Sequence, residues 1–269
     1  NPAGGIGVKD PAGGEPTGML RGSAALGLLK GGPAISGPVG ADAKRAGLQR
    51  LLALYHRFGI TSVADRSTPR EALDLFLSLQ KTGELSMRIT VSPSFDPKGS
   101  REDVARRLDA MPGADKRGGP TGAGDEWIRV GPIKLFMDGV MLNGSAYMRE
   151  PWPKGPIYQV VEDDYHGLLF IEPAQLRVVL EEAAKRGWQM TAHTAGEAAM
   201  DVLLDAYADV NAKTPIRESR WTITHANFPS QRNLERCRDL GVVADVQPAW
   251  LYKDGAALLK LLGPARMAW

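Results

Sequence analysis

Three apolar runs carry residues that could do chemistry together. "PIKLFMDG" holds Lys134 and Asp138, "WQMTAH" ends in His193, and "RWTITHA" holds His225. The chain has only four histidines, and neutral imidazole is the commonest metal ligand. Taken singly, His193 and His225 each read as a satisfied core imidazole. At equivalent positions of successive runs they favour a shared site. Lys134 is the odder residue, because a lysine inside an apolar strand is a costly buried charge unless it is paired or chemically altered. Snorkelling to solvent, or pairing with Asp138, is its plain reading. Two reactive readings stand beside that one. A neutral amine in a desolvated pocket could form a Schiff base with a carbonyl substrate. It could also take up carbon dioxide to become a carbamate, an anionic two-oxygen ligand able to bridge two metals.

These residues need elements to hold them, and the pattern supplies helix and strand in alternation. Leu48, Leu51, Leu52, Tyr55 and Phe58 share a helical face in 41–59, and "ITSVAD" (60–65) follows as a β-rich run. Helix 70–84 leads to "LSMRITVSPSF", helix 101–111 to a strand at 130–139, and helix 172–187 to 188–193. Helix 196–210 leads to 220–226, and helix 230–241 to "VVADVQP", 242–248. Alternation of this kind predicts an α/β fold with a parallel sheet. The nearly continuous apolar runs suit strands covered on both faces. A TIM-type (β/α)8 barrel and a doubly wound open sheet both fit. No G-x-G-x-x-G and no G-x-x-x-x-G-K-[ST] is present to support a nucleotide-binding version. In a parallel barrel the C-terminal strand ends converge on one mouth. There Lys134, His193 and His225 would meet, alongside Asp65, Ser92, Ser94 and Gln247 from other strand ends.

Composition narrows the function classes. With 33 Lys and Arg against 31 Asp and Glu, the net charge of +2 gives no electrostatic case for nucleic acid or an anionic membrane. No run approaches a membrane span, and no signal peptide opens the sequence, so a cytoplasmic location is the expectation. The single Cys237 excludes an internal disulfide. The first 40 residues hold 12 glycines and 5 prolines. Residues 1–42 therefore read as a loop, small hairpin or lid-like insertion, and 43–269 as consecutive helix–strand units of one domain.

The segments "IKLFMDG", "GWQMTAHTAGEAAMDVLLDAYADV", "RWTITHANF" and "GVVADVQPAWLYKD" resemble the amidohydrolase superfamily, specifically amidohydrolase family 3. The opening "NPAGGIGVKDPAGGEPTGML" and "FGITSVAD" match the same pattern. The resemblance implies a TIM-type barrel whose metal centre activates water to cleave a non-peptide C–N bond in a small amide-type substrate. It also implies Lys134, in carboxylated form, His193 and His225 as metal ligands from strands four, five and six. One or two divalent ions are implied, zinc first, with manganese, iron or nickel as alternatives. The chain departs from the family mildly at Gly196-Glu197, where many relatives have Gly-Asp, and more seriously in two places. The His-x-His pair of the family's first strand is absent, since His56 lies mid-helix and His166 in a loop. The metal-binding aspartate of the last strand, also the general base, is expected beyond Trp269. Residues 1–269 thus read as strands two to seven of a longer protein, inactive as a fragment and exposing two sheet edges.

Other residues carry weaker signals. Asp138 could orient a ligand or simply shape a turn before Gly139. Glu197 suits the start of a helix ahead of a substrate role. Gln247 and Trp250 could touch substrate or pack a loop. Arg149, Trp152 and Tyr158 belong to a long loop that could cover a barrel mouth. Two alternatives compete with the hydrolase: a Schiff-base lyase using Lys134, and a barrel-derived binding protein without catalysis.

Overall fold

A computed structural model describes residues 6–9, 13–21, 39–114 and 120–267. Much of the glycine-rich opening, residues 1–5, 10–12 and 22–38, lies outside the described residues, as does 115–119 of the loop following the third helix. What is described of the opening is a hairpin, β1 (Ile6–Lys9) paired antiparallel with β2 (Pro16–Arg21).

The alternation then runs as the pattern predicts. Helix α1 (Ala41–Arg57) precedes β3 (Ser62–Thr68), α2 (Arg70–Lys81) precedes β4 (Arg88–Pro93), and α3 (Arg101–Asp109) precedes β5 (Ile128–Val130) and β6 (Ile133–Phe136). Next come α4 (Pro173–Lys185), β7 (Met190–Thr194), α5 (Glu197–Asn211), β8 (Thr222–His225), α6 (Gln231–Leu240), β9 (Val243–Asp245) and α7 (Pro248–Arg266). Local chemistry sets several of the ends. Capping boxes open α3 (Ser100 with Asp103) and α6 (Ser230 with Asn233), each satisfying otherwise orphaned N–H groups. Gly241 closes α6 in the left-handed conformation that glycine adopts without strain.

Strands β3, β4 and β5 form one parallel sheet, and β6 to β9 form another in sequence order. A parallel bridge between Ser94 and Lys134 joins the two, with the Phe95 N–H donating to the Lys134 carbonyl at 3.1 Å. The expected strand 130–139 is therefore two strands. Pro132 has no N–H to give a ladder, while the Gly131 N–H donates to the Val91 carbonyl at 2.7 Å. A Cβ on Gly131 would come within 2.8 Å of Thr90 Cγ2, so the break needs glycine. Arg66 on β3 and Asp245 on β9 meet at 2.8 Å, although no ladder joins their strands.

The core lies between this sheet system and the helices. Trp188, Tyr207 and Trp221 are buried within it, the indole of Trp221 donating to the Trp188 carbonyl at 3.1 Å and the Tyr207 hydroxyl to the Thr222 carbonyl at 3.1 Å. Two expectations change in detail. On α1 only Leu52 is buried, with Leu48 and Tyr55 packed beside it, while Leu51 and Phe58 face solvent. The contact stripe is the narrow i, i+4, i+7 line. The run 242–248 is strand only to Asp245, because Pro248 at the first helical position starts α7, kinked at Gly263.

Candidate active site

Strand register fixes the relative heights of the candidate residues. Phe136 on β6 pairs with His193 on β7, and Lys134 with Thr191, two residues lower. His225 on β8 pairs with Thr194, one step above His193. The two imidazoles meet edge to face with centroids 4.6 Å apart. Lys134 rises from below, only 3% exposed, its Nζ 4.9 Å from the centre of the Phe136 ring. The structure thus brings these three residues to one end of the parallel strands.

Each imidazole has one nitrogen engaged by a carbonyl oxygen. His193 Nε2 lies 2.8 Å from the Gly139 carbonyl. His225 Nδ1 meets Gln247 Oε1, while Gln247 Nε2 donates to the Asp245 carbonyl at 2.7 Å, which fixes the amide's orientation. A carbonyl oxygen can only accept. His193 therefore carries its proton on Nε2 and His225 on Nδ1, and the lone pairs of His193 Nδ1 and His225 Nε2 are available. Burial pushes the His193 imidazole down to about 4 against the Gly139 carbonyl, which favours the protonated ring, and the neighbouring His225 and Lys134 disfavour a second positive charge there. Burial lowers His225 too. Both rings are accordingly neutral at pH 7, the form that can ligate a metal.

The backbone at His225 is strained. His225 has φ of 85° and Ala226 of 47°, two successive non-glycine residues in the left-handed region. Such conformations cost about 1–3 kcal/mol each and persist where the surrounding structure over-determines them. Trp250 on α7 stacks on the His225 ring at 4.5 Å and 20°, which holds the imidazole in place.

Lys134 has no carboxylate within ion-pairing distance among the described residues. Burial, followed by the nearby Arg66 guanidinium, brings its amine down to about 8. Arg66 is itself occupied by Asp245. The plain reading of Lys134 as Asp138's partner does not hold, because Asp138 is committed elsewhere. Its Oδ1 accepts from the Ala195 N–H at 2.9 Å, and its Oδ2 from the Gly196 and Tyr147 N–H groups at 2.7 and 3.0 Å. Burial pushes the Asp138 carboxyl up to about 7 against these three donors, which favour carboxylate. Asp138 Oδ1 also lies 3.5 Å from His193 Nε2. Asp138 thus ties the end of β6 to the start of α5 and flanks the His193 ring.

The remaining candidates divide. Gln247 joins the site as the partner of His225. Glu197 does not: it is buried in the first turn of α5, with Oε1 accepting from the Arg149 N–H at 3.2 Å. The long loop is anchored on several sides. Arg149 grips Asp201 with two bonds of 2.6 and 2.7 Å, Trp152 is buried with its indole donating to the Ala146 carbonyl at 2.8 Å, and Arg21 of the hairpin pairs with Glu162 at 3.3 Å. A Cβ on Gly196 would collide with the Tyr147 backbone, so glycine permits this close seating. Arg66 and Asp245 are the residues that sequence reasoning missed. Their signal was a charge beside or within a strand-end apolar run, as in "SVADR" and "VVAD".

Among the described residues no group of three or more His, Cys, Asp or Glu side chains is arranged to hold a metal ion. The donor set fits a divalent cation through two imidazole lone pairs, with Lys134 able to join once it has lost its proton. Parallel α/β units that present a lysine and two histidines at their strand ends define the class of this site. Residues 1–269 match the amidohydrolase family along their whole length, and the chain belongs to that family. It is 25% identical to the putative amidohydrolase YtcJ of Bacillus subtilis (strain 168), an alignment covering 99% of this chain and 46% of that protein. It is 33% identical over 141 residues to Protein LONG AFTER FAR-RED 3 of Arabidopsis thaliana, covering 52% of this chain and 23% of that one. In fold it is similar to an uncharacterized metal-dependent hydrolase from Pyrococcus horikoshii OT3, with a TM-score of 0.67, 22% identity, and coverage of 93% of this chain and 46% of the other. The chain spans less than half the length of each of these proteins.

Proposed function

We propose that this chain forms the middle of a metal-dependent amidohydrolase that cleaves a non-peptide C–N bond of a small amide. The carrying observation is the pair of imidazoles at adjacent strand ends, each with one nitrogen fixed by a carbonyl and the other without a hydrogen-bond partner among the described residues. In this reading β3, β4, the interrupted strand formed by β5 and β6, then β7, β8 and β9 are strands two to seven of an eight-stranded barrel. His193 would hold the metal through Nδ1, His225 through Nε2, and Lys134 as its carbamate. Zinc suits imidazole and carboxylate-type donors best. When bound, such a cation supplies Lewis acidity, acidifying water and polarising a carbonyl.

The chain's own residues do the positioning. The Gly139 carbonyl and Gln247 hold the two rings in the required tautomers. Asp138 fixes the loop that bears Gly139. Trp250 shields His225 from bulk water. The aspartate that takes the proton from water is assigned, by family resemblance, to a segment outside residues 1–269. The test is zinc titration by calorimetry on the longest soluble form of the protein, alongside His193→Ala and His225→Ala. Each variant should lose affinity by about 100-fold or more, beyond the 10–100-fold typical of residues that only support a ligand. Unchanged affinity in both variants would overturn the ligand assignment.

The low proton affinity of Lys134 also favours a second reading, in which its amine forms a Schiff base with a carbonyl substrate. Borohydride trapping of a covalent adduct at Lys134 would support it. Zinc-dependent turnover without trapping supports the hydrolase.

A further inference from the structure

Beside His225 lies a cavity of about 550 Å³, walled by residues 140–142, the 226–228 loop after β8, and α7. Small-molecule sites commonly have this size. Its walls are apolar: Met141, Phe228, Trp250, Leu251 and Leu258. Met141, Phe228 and Leu258 are buried and pack in one cluster with Trp152 and Ala195, so the core sets the shape of these walls. An apolar cavity of roughly 150 Å³ accepts a benzene ring. This one has room for an aryl group and a short chain. The stacked ring of Trp250 carries the flat apolar wall up to the His225 imidazole.

Charge narrows the occupant further. No lysine or arginine is among the described residues lining the cavity, and Asp254 is its one ionisable group besides His225. An anionic substrate group would lose its hydration there without a cation to receive it, and would face a carboxylate of the same sign.

We infer that this cavity is the specificity pocket for the group attached to the scissile bond, selecting uncharged amides that bear an aryl or branched alkyl group and rejecting those that end in a carboxylate. The inference rests on reading His193 and His225 as the catalytic centre.

Binding of phenylacetamide and of succinamate, followed by calorimetry at pH 7, tests it without relying on turnover. Phenylacetamide should bind at least about tenfold more tightly, a difference of about 1.4 kcal/mol. Leu142→Trp fills the rim from a position that is 45% exposed, so the fold is undisturbed, and should weaken phenylacetamide by about tenfold or more. Asp254→Lys should let succinamate bind at least about tenfold better. Equal affinity for the two amides, no detectable phenylacetamide binding, or affinities unmoved by both variants would overturn the pocket. His193 does not line the cavity, so His193→Ala separates the two readings. If that variant, in the longest soluble form of the protein, keeps full turnover while Leu142→Trp still blocks binding, the catalytic assignment fails and the cavity stands as a binding pocket. If it loses turnover while binding ignores Leu142 and Asp254, the pocket fails and the catalytic assignment stands.

Discussion

Glu182 and Lys134 are both ionisable side chains withdrawn from water, 6% and 3% exposed, and they are treated in opposite ways. Glu182, on α4, is met by three cations. Arg101 of α3, Lys185 and Arg186 each place a nitrogen 2.7 Å from its carboxylate. Despite burial, these partners hold its carboxyl down at about 2. Lys134 has no acid within ion-pairing distance among the described residues, and its amine falls to about 8. Glu182 is therefore balanced by its partners, and Lys134 is left without one although Arg66 and Asp245 beside it pair with each other. A completed cluster serves stability. An incomplete one disfavours its own charged form, a cost tolerated where the neutral form is the useful one.

The largest effects that sharpen this contrast come from Lys134→Met. Turnover of the longest soluble form should fall on the order of a thousandfold or more, as when a member of a cooperating catalytic set is removed. Stability should move the other way. An amine with a folded pKa of about 8 against 10.5 unfolded is a liability at pH 7, where both states are protonated. Between those values the unfolded chain holds the proton that the folded chain has released, so wild-type stability rises with pH by about 3 kcal/mol across the window. Urea midpoints at pH 7, 8, 9 and 10 would show this rise in the wild type and its absence in Lys134→Met. A flat wild-type profile would mean that Lys134 is not a free amine in the folded protein, as carboxylation requires.

Glu182→Gln is the matching change in the helix layer and should have the smaller effect. The folded carboxyl sits at about 2 and the unfolded one at 4.5, so its stabilisation is present above pH 4.5 and is lost as pH falls towards 2. Discounted for the solvent exposure of Arg101 and Lys185, it amounts to about 2 kcal/mol at pH 7. Chemical denaturation at pH 7 and pH 3 should show the variant less stable at the first, with the difference cut to roughly half at the second. Turnover per folded molecule should not change. A loss of turnover in Glu182→Gln would break the division between the two layers.

How far the sequence reveals these differences depends on the range of the interactions. The helix–strand alternation and the positions of Lys134, His193 and His225 at strand ends are legible because periodicity is local. The break at Gly131-Pro132 is legible only in hindsight, since it depends on Thr90 and Val91 of another strand. The charges of Arg66 and Asp245 at strand-end runs are legible, but their pairing joins the two outer parallel strands and local pattern does not reach that far. Asp138 shows the limit most clearly. Beside a glycine it reads as a turn residue, yet it receives N–H groups from Tyr147, Ala195 and Gly196, contributed by separate segments. The exposure of Leu51 and Phe58 was hidden for the converse reason: the helical period tells which residues share a face, but the width of the contact is set by what lies opposite.

Gln247 makes the finest test of the contrast, because it supports the strand-end region without being one of its reactive groups. Its Oε1 accepts from His225 Nδ1, and its Nε2 is anchored on the Asp245 carbonyl at 2.7 Å. Gln247→Ala removes the acceptor that keeps the His225 proton on Nδ1, so part of the population shifts to the tautomer whose Nε2 is blocked. The expected loss in zinc affinity is about tenfold, the lower end of the effect of partners behind a ligand. The unfolding midpoint should change little, since Gln247 is only partly buried where α7 begins. Gln247→Glu keeps an acceptor at the same reach and should restore affinity, while raising the pH below which His225 becomes protonated and zinc is released. Restoration by glutamate distinguishes a tautomer-setting role from loop packing, which either substitution would disturb. Equal loss in both variants would place Gln247 with the structural residues of α7, leaving the strained backbone at His225 and the stacked Trp250 to orient the ring.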